Sequence, residues 1–294
     1  MAGLKGRDIL KICFEPKNFH KKNRNLLIII NKIISDYEEK GYFLTLRQVY
    51  YQLVSMDLIE NSDKSYRSIQ YLVKDGRLAG EISMTAIEDR TRRQRSLNYF
   101  DGIPDILKAA ADSYRRDLWE GQDHYVEIWC EKDAVIGIVQ KAAFYLCVPC
   151  FSTRGFPSIT ALWEATERME NKPSPIIFYL GDHDPSGLQI DREIKARLDQ
   201  FGAPVCLERI GLLREQVEEY SLPPNMAKEK DVNYEKYKAL HGEHSWELDA
   251  LEPEVIHDLI VENIKIVLDP EKYNALFDVQ EREREKIYDL LQSL

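Results

Sequence analysis

The chain has 294 residues, enough for about two domains on a prior of ~150 residues each. With 44% apolar and 31% charged residues and 16 tyrosines it reads as globular rather than disordered, and no apolar run approaches the ~18 residues that span a bilayer. A net charge of −10, from 40 basic and 50 acidic residues, argues against a non-specific coat on nucleic acid but leaves room for a local basic groove.

The N-terminal "MAGLKGRDILK" lacks the apolar core of a signal peptide, so a cytoplasmic protein is expected. Helices are predicted over 25–40 ("NLLIIINKIISDYEEK"), from Thr45, where Thr45-x-x-Gln48 forms a capping box, and over 63–78. The stretch "GEISMTAIEDRTRR" then has the β-branched content and polar end of a wing. Helix, turn, helix, wing is a winged-helix arrangement.

Charge concentrates here. Between positions 64 and 95 eight bases face four acids, whereas the acid excess lies mostly downstream, over 208–294. On the third helix Lys64, Arg67, Gln70, Lys74 and Arg77 fall on one face, with Tyr66, Ile69, Leu72 and Val73 on another. Such a stripe is either a solvated helix face or a recognition surface for phosphates. The neighbouring "RTRRQR" run, with Arg90, Arg92 and Arg93, favours DNA contact.

On the second helix, "LRQVYYQL", Leu46, Val49, Tyr50 and Leu53 form the apolar stripe. Tyr50 is therefore expected to be packed. Tyr51 is rotated ~100° from it toward the polar side, one turn beyond Arg47. A guanidinium there favours the phenolate or holds an attacked phosphate.

Around 101–120 a connecting helix separates this part from one of strand–helix alternation. Strands are expected at 124–132, 148–153, 174–184 and 205–210, and helices at 134–145, 158–170 and 187–201. The pattern implies an α/β domain with a mostly parallel sheet and helices on both faces. Ligands in such sheets bind beyond the carboxyl ends of the strands. There lie Glu131, Asp182 and Asp184, either as solvated turn residues or as an oxygen-only set suited to a hard cation such as Mg2+. Alternate residues of an extended segment point the same way, so His183 should point away from the acids. Gly155 and Gly187 supply backbone freedom near the site.

Cys147-Val-Pro-Cys150 has zinc or redox spacing without a completing ligand pair, so buried strand cysteines are expected. Trp119, Trp129, Trp163 and Trp246 are expected in the core, "EREREK" at 281–286 on a solvated helix face, and His241 and His244 without partners.

"VEIWCEKDAV", "STRGFPS" and "FYLGDHDPSGLQI" resemble the successive motifs of a Toprim domain of the topoisomerase VI A-subunit type. "TLRQVYYQL" resembles the tyrosine-bearing, catabolite-activator-like winged helix that precedes it in that family, which includes the meiotic double-strand-break transesterase. The match runs in order over about 40–200, and "WELDALEPEVIHDLI" is similar to the family's C-terminal extension. The resemblance implies a winged-helix domain at 1–115 and a Toprim domain with extension at 116–294. It implies a reaction in which Tyr51, aided by Arg47, attacks a DNA phosphodiester to leave a 5′-phosphotyrosyl link. Mg2+ on Glu131, Asp182 and Asp184 would assist, and a homodimer would cut both strands of double-stranded DNA, the tyrosine of one subunit meeting the metal site of the other. Lys64, Arg67, Lys74, Arg77, Arg90, Arg92 and Arg93 would bind the duplex, in a cytoplasmic, nucleoid-associated protein. The chain is most similar to compact stand-alone A-type proteins and has no ATP-binding motif. An ATPase B-type subunit would be a separate chain. A Toprim nuclease using water, with structural tyrosines, and a non-cleaving dimeric DNA-binding protein are the alternatives.

Overall fold

A computed structural model describes residues 11–87 and 99–292. Three helices open it: α1 (Lys21–Glu39), α2 (Leu46–Ser55) and α3 (Asp63–Leu78). On α1 the buried residues Leu26, Leu27, Ile30, Ile33, Ile34 and Tyr37 recur at three- and four-residue steps, one apolar stripe. The helix starts before the expected position 25 because its first turn, Lys21–Arg24, is polar and leaves no mark in the apolar periodicity.

The capping box on α2 is present. Thr45 Oγ1 accepts from the Gln48 backbone N–H, and Gln48 Oε1 accepts from the Thr45 N–H at 2.9 Å. Ser62 caps α3 in the same way, its hydroxyl accepting from the Ser65 N–H at 3.2 Å.

The expected wing is not seen at 80–87, which runs as turns and bends without a strand. Two of its backbone donors, on Glu81 and Ile82, go to the Gly76 carbonyl at the end of α3 instead of to a ladder. Ile82, Ala86 and Ile87 are buried in the core shared by α1–α3. The rest of that stretch, with Arg90, Arg92 and Arg93, lies outside the described residues.

The second half is α/β. Strands β1 (Val126–Cys130), β2 (Cys150–Ser152), β3 (Ile176–Leu180) and β4 (Cys206–Gly211) form a parallel sheet in the order β2-β1-β3-β4. Helices α5 (Ile136–Tyr145), α6 (Ile159–Met169) and α7 (Gly187–Gln200) connect them. Side chains alternate across the sheet with the two-residue strand period. Val126, Ile128, Cys130, Phe178 and Leu180 join one core, whereas Trp129, Ile177 and Tyr179 join another with residues of α6 and α7. The first core is continuous with that of α1–α3 and includes α10 (Pro253–Val267). Fully burying such Leu, Ile or Val side chains contributes about 1.5–3 kcal/mol each.

The chain leaves β1 toward β2 on one side and returns to β3 on the other, so the order reverses between β1 and β3. The crevice outside the carboxyl ends of those two strands is where this architecture places ligands. Around it lie α8 (Arg214–Glu219), the antiparallel pair β5 (Asn225–Met226) and β6 (His244–Ser245), α9 (Tyr234–His241) and a 3₁₀ turn at Leu248–Ala250.

Helix α4 (Ile103–Ser113) packs against α11 (Pro270–Gln292). The Tyr114 hydroxyl bonds Glu283 and the Tyr288 hydroxyl bonds Asp112, so the pair runs antiparallel. The "EREREK" run is thus not purely solvated: Arg116 Nη1 pairs with Glu283 at 3.0 Å. Trp129 and Trp246 are core residues and Trp119 is half-buried, but Trp163 is 48% exposed, its ring stacked edge-on against Phe201. Cys147 and Cys150 are half-buried and unbridged, Cys150 in edge strand β2. No helix of the described residues is long and apolar enough to cross a membrane.

Candidate functional site

The strand-end acids lie where the alternation places them. Glu131 follows β1, and Asp182 and Asp184 sit in the loop between β3 and α7. Each has one oxygen tied to a backbone N–H: Glu131 Oε2 accepts from Asp182 at 2.9 Å, Asp182 Oδ1 from Leu248 at 2.8 Å, and Asp184 Oδ1 from Gly187 at 2.6 Å. His183, between the acids, turns away. Its backbone pairs with Trp246 and its Nδ1 lies 3.0 Å from the Tyr237 hydroxyl. Burial and the nearby His241 push its pKa down to about 4. His241, for which the sequence names no ligand partner, lies edge-on to His183 with centroids 4.9 Å apart.

Close packing fixes this loop. A Cβ at Gly187 would lie 2.3 Å from the Asp182 carbonyl oxygen, so glycine is needed there for space rather than for backbone freedom. Gly155, by contrast, has φ +84°, the left-handed region that favours glycine. Arg209, from β4, clamps the loop: its guanidinium donates to Gly181 O at 2.9 Å and Gly187 O at 2.7 Å while pairing with Asp191 at 2.7 Å.

Lys132 stands at the centre of the acids. Its Nζ is 2.8 Å from Asp182 Oδ2, 2.7 Å from Glu247 Oε2 and 2.9 Å from Asp249 Oδ1. Burial opposes its charge, but Asp249, Asp182 and Glu247 hold its pKa well above the ordinary value. Burial raises both Asp182 and Asp249, offset chiefly by Lys132. The same neighbours, Lys132 and Arg47, overcome burial at Glu247 and bring it down to about 2. Glu131 is pushed up to about 7, by burial first and then by the charge of Asp182.

The tyrosine helix meets this cluster within one chain. Arg47 Nη2 is 2.5 Å from Glu247, and its Nε is 3.3 Å from Asp249 Oδ2. Gln52 Nε2 donates to Glu252 Oε1 at 3.1 Å. Tyr50 is packed as expected, its hydroxyl accepting from the Ser62 N–H at 2.8 Å. Tyr51 departs from expectation. It is only 4% exposed, as buried as Tyr50, because α2 is covered on its polar side by the turn at Leu248–Ala250. Its hydroxyl accepts a 3.4 Å bond from Asn225 Nδ2. Burial, then the charges of Glu247 and Asp249, push the phenol above its usual range, and Arg47 opposes them.

Of the α3 stripe, Lys64, Arg67 and Lys74 are exposed and make no ion pair with any described residue. Arg77 is half-buried and donates to the Ile87 carbonyl at 2.9 Å, turned back onto its own fold.

Sequence reasoning missed Lys132, Arg209, Glu247 and Asp249. Three had a visible signal: Lys132 adjoins Glu131, and Glu247-Leu-Asp249 repeats the acid-x-acid spacing of Asp182-His-Asp184.

Oxygen donors at strand ends suit a hard cation. Glu131 Oε1 and Asp184 Oδ2 take no hydrogen bond from a described residue, and a cation would offset both the burial and the repulsion that raise Glu131. The set fits such an ion in kind. In spacing, among the described residues no three His, Cys, Asp or Glu groups surround one metal position, and Lys132 already supplies Asp182 with a positive charge. No family model and no curated protein matches the chain.

Proposed function

We propose that this chain is a DNA-cleaving transesterase of the topoisomerase VI A-subunit type, acting on double-stranded DNA as a homodimer with Tyr51 as nucleophile. One observation carries the reading: Arg47, one turn from Tyr51, shares Glu247 and Asp249 with Lys132, so the tyrosine helix and the strand-end acids belong to one charged site.

In the reaction Tyr51 Oη bonds to a DNA phosphorus as the P–O3′ bond breaks. The phenol proton leaves to water, and the departing 3′ oxygen takes a proton. An unperturbed tyrosine is only about 0.1% ionised at pH 7, and burial lowers that further here. Tyr51 must therefore escape its burial and the nearby charges of Glu247 and Asp249 before it reacts, whereas the Asn225 donor and Arg47 both favour the phenolate. Arg47 then favours the phenolate and neutralises the phosphate. Glu131, Asp182 and Asp184 do not surround one metal position in the resting chain, so they would have to close together to hold Mg2+, which when bound supplies positive charge to the developing oxyanions. Lys64, Arg67 and Lys74 would track the DNA backbone. A homodimer supplies one tyrosine for each strand.

A second reading, hydrolysis by water, is favoured by the burial and raised pKa of Tyr51. Incubation of the chain with supercoiled plasmid and Mg2+, followed by detergent and protease, separates the two. Linear DNA that appears only after protease, and is lost in Tyr51→Phe, is the expected result. Cleavage that survives Tyr51→Phe and leaves protein-free ends would overturn the transesterase in favour of hydrolysis.

A further inference from the structure

Glu247 is held in an unusual way. Its carboxylate bridges two cations from different parts of the chain, Arg47 Nη2 at 2.5 Å and Lys132 Nζ at 2.7 Å. A two-oxygen anion between a guanidinium and an ammonium is the contact a phosphodiester makes with the same pair. Asp249 spans these cations too, but its side chain is fully buried, whereas that of Glu247 keeps 22% of its surface exposed. Of the two acids only Glu247 has room to leave. If it does, Asp249 still compensates both bases, and Leu248 stays tied to Asp182.

We propose that Arg47 and Lys132 form the seat of the DNA phosphate attacked by Tyr51, and that Glu247 fills this seat in the resting chain until the phosphate displaces it. The proposal rests on the DNA-cleaving reading above and adds to it a phosphate-binding role for Lys132 and an exchange role for Glu247. It links occupancy to the nucleophile: Arg47 and Tyr51 lie one turn apart on α2, so the anion that replaces Glu247 arrives beside Tyr51.

The test uses the full chain carrying Tyr51→Phe, so that binding is measured without cleavage. Glu247→Gln keeps the shape of the side chain and removes the competing anion. Its affinity for a short duplex should rise roughly fivefold or more, as expected when a competing resting state is removed. In the Arg47→Gln background the same change should give no gain, because the seat has lost its guanidinium. Hydrogen exchange on the chain without the Glu247 change provides a second measurement, independent of how that variant folds. Duplex DNA should speed exchange of the amides at 245–247 while slowing it along α2.

Duplex binding with neither a gain in Glu247→Gln nor faster exchange at 245–247 overturns the exchange and leaves the DNA reading standing. A gain that persists in the Arg47→Gln background refutes the shared seat. If no variant binds the duplex, the DNA reading itself falls, and this inference with it.

Discussion

Among the described residues Lys132 pairs with the most carboxylates, and Lys132→Met is the sharpest test of the site as described. Its ammonium touches three carboxylates, and its own side chain is 18% exposed. A unit-charge pair at 2.8 Å is worth about 6 kcal/mol at an effective dielectric near 20. Desolvation cancels part of that, so removing one partner of a buried cluster typically costs about 3–5 kcal/mol. Methionine keeps most of the side-chain volume, so the loss is electrostatic rather than a cavity. The sign with pH follows. In the variant the buried acids keep protons that the unfolded chain releases, so stability falls as pH rises above the ordinary carboxylate range. The deficit relative to wild type should be small near pH 5 and reach its plateau by pH 8. Urea denaturation followed by circular dichroism at both values measures it. A loss under about 1 kcal/mol at pH 8, or one that does not change with pH, would refute the picture of three acids held by one lysine.

Further outcomes follow from other contacts. Glu127 is 2% exposed and accepts from Tyr125, Trp129 and the Nε and Nη2 of Arg168, so Glu127→Ala should cost about 3–5 kcal/mol in urea denaturation. Gly187→Ala places a Cβ 2.3 Å from a backbone oxygen and should destabilise by about 1–3 kcal/mol, with the loop at 181–187 losing hydrogen-exchange protection. His183 titrates near 4 when folded and near 6.5 when unfolded. The unfolded chain binds the proton first, so stability should be level above that range and fall by about 2 kcal/mol on lowering the pH to 5. His183→Gln should remove that part of the pH dependence.

The α/β sheet was legible because each strand and its helix carry their own signal. The Thr45 capping box, the apolar run of β3 and the three-residue steps of α3 all arise from contacts close in sequence, and their elements stand where expected. The strand-end acids were legible for the same reason, since the end of an alternating segment fixes where Glu131, Asp182 and Asp184 lie. Over 80–87 the expectation of a wing failed on a different ground. Its β-branched residues fill the core beneath α3, and two of its amides cap that helix, uses that composition does not distinguish from strand pairing.

Tyr51 shows where periodicity stops informing. A helical wheel drawn from ten residues separates one packed face from the remainder, and on that wheel Tyr51 belongs to the remainder. Its second cover comes from Asn225 and the turn at 248–250, about two hundred positions downstream, which no local pattern records. The same distance hid Glu247 and Asp249, although they carry the charged contact of α2 with the second half. The two errors are therefore one: the polar side of α2 was free only while its partner was unknown. That partner is mixed: Leu248 shares the apolar core with Tyr51, while Glu247 and Asp249 pair with Arg47, which stays exposed. A seam built from charges opens to a competing anion, whereas one built from apolar side chains does not. On the proposed DNA-cleaving reading, the charged part of that cover, at Arg47, is the part a DNA phosphate would replace.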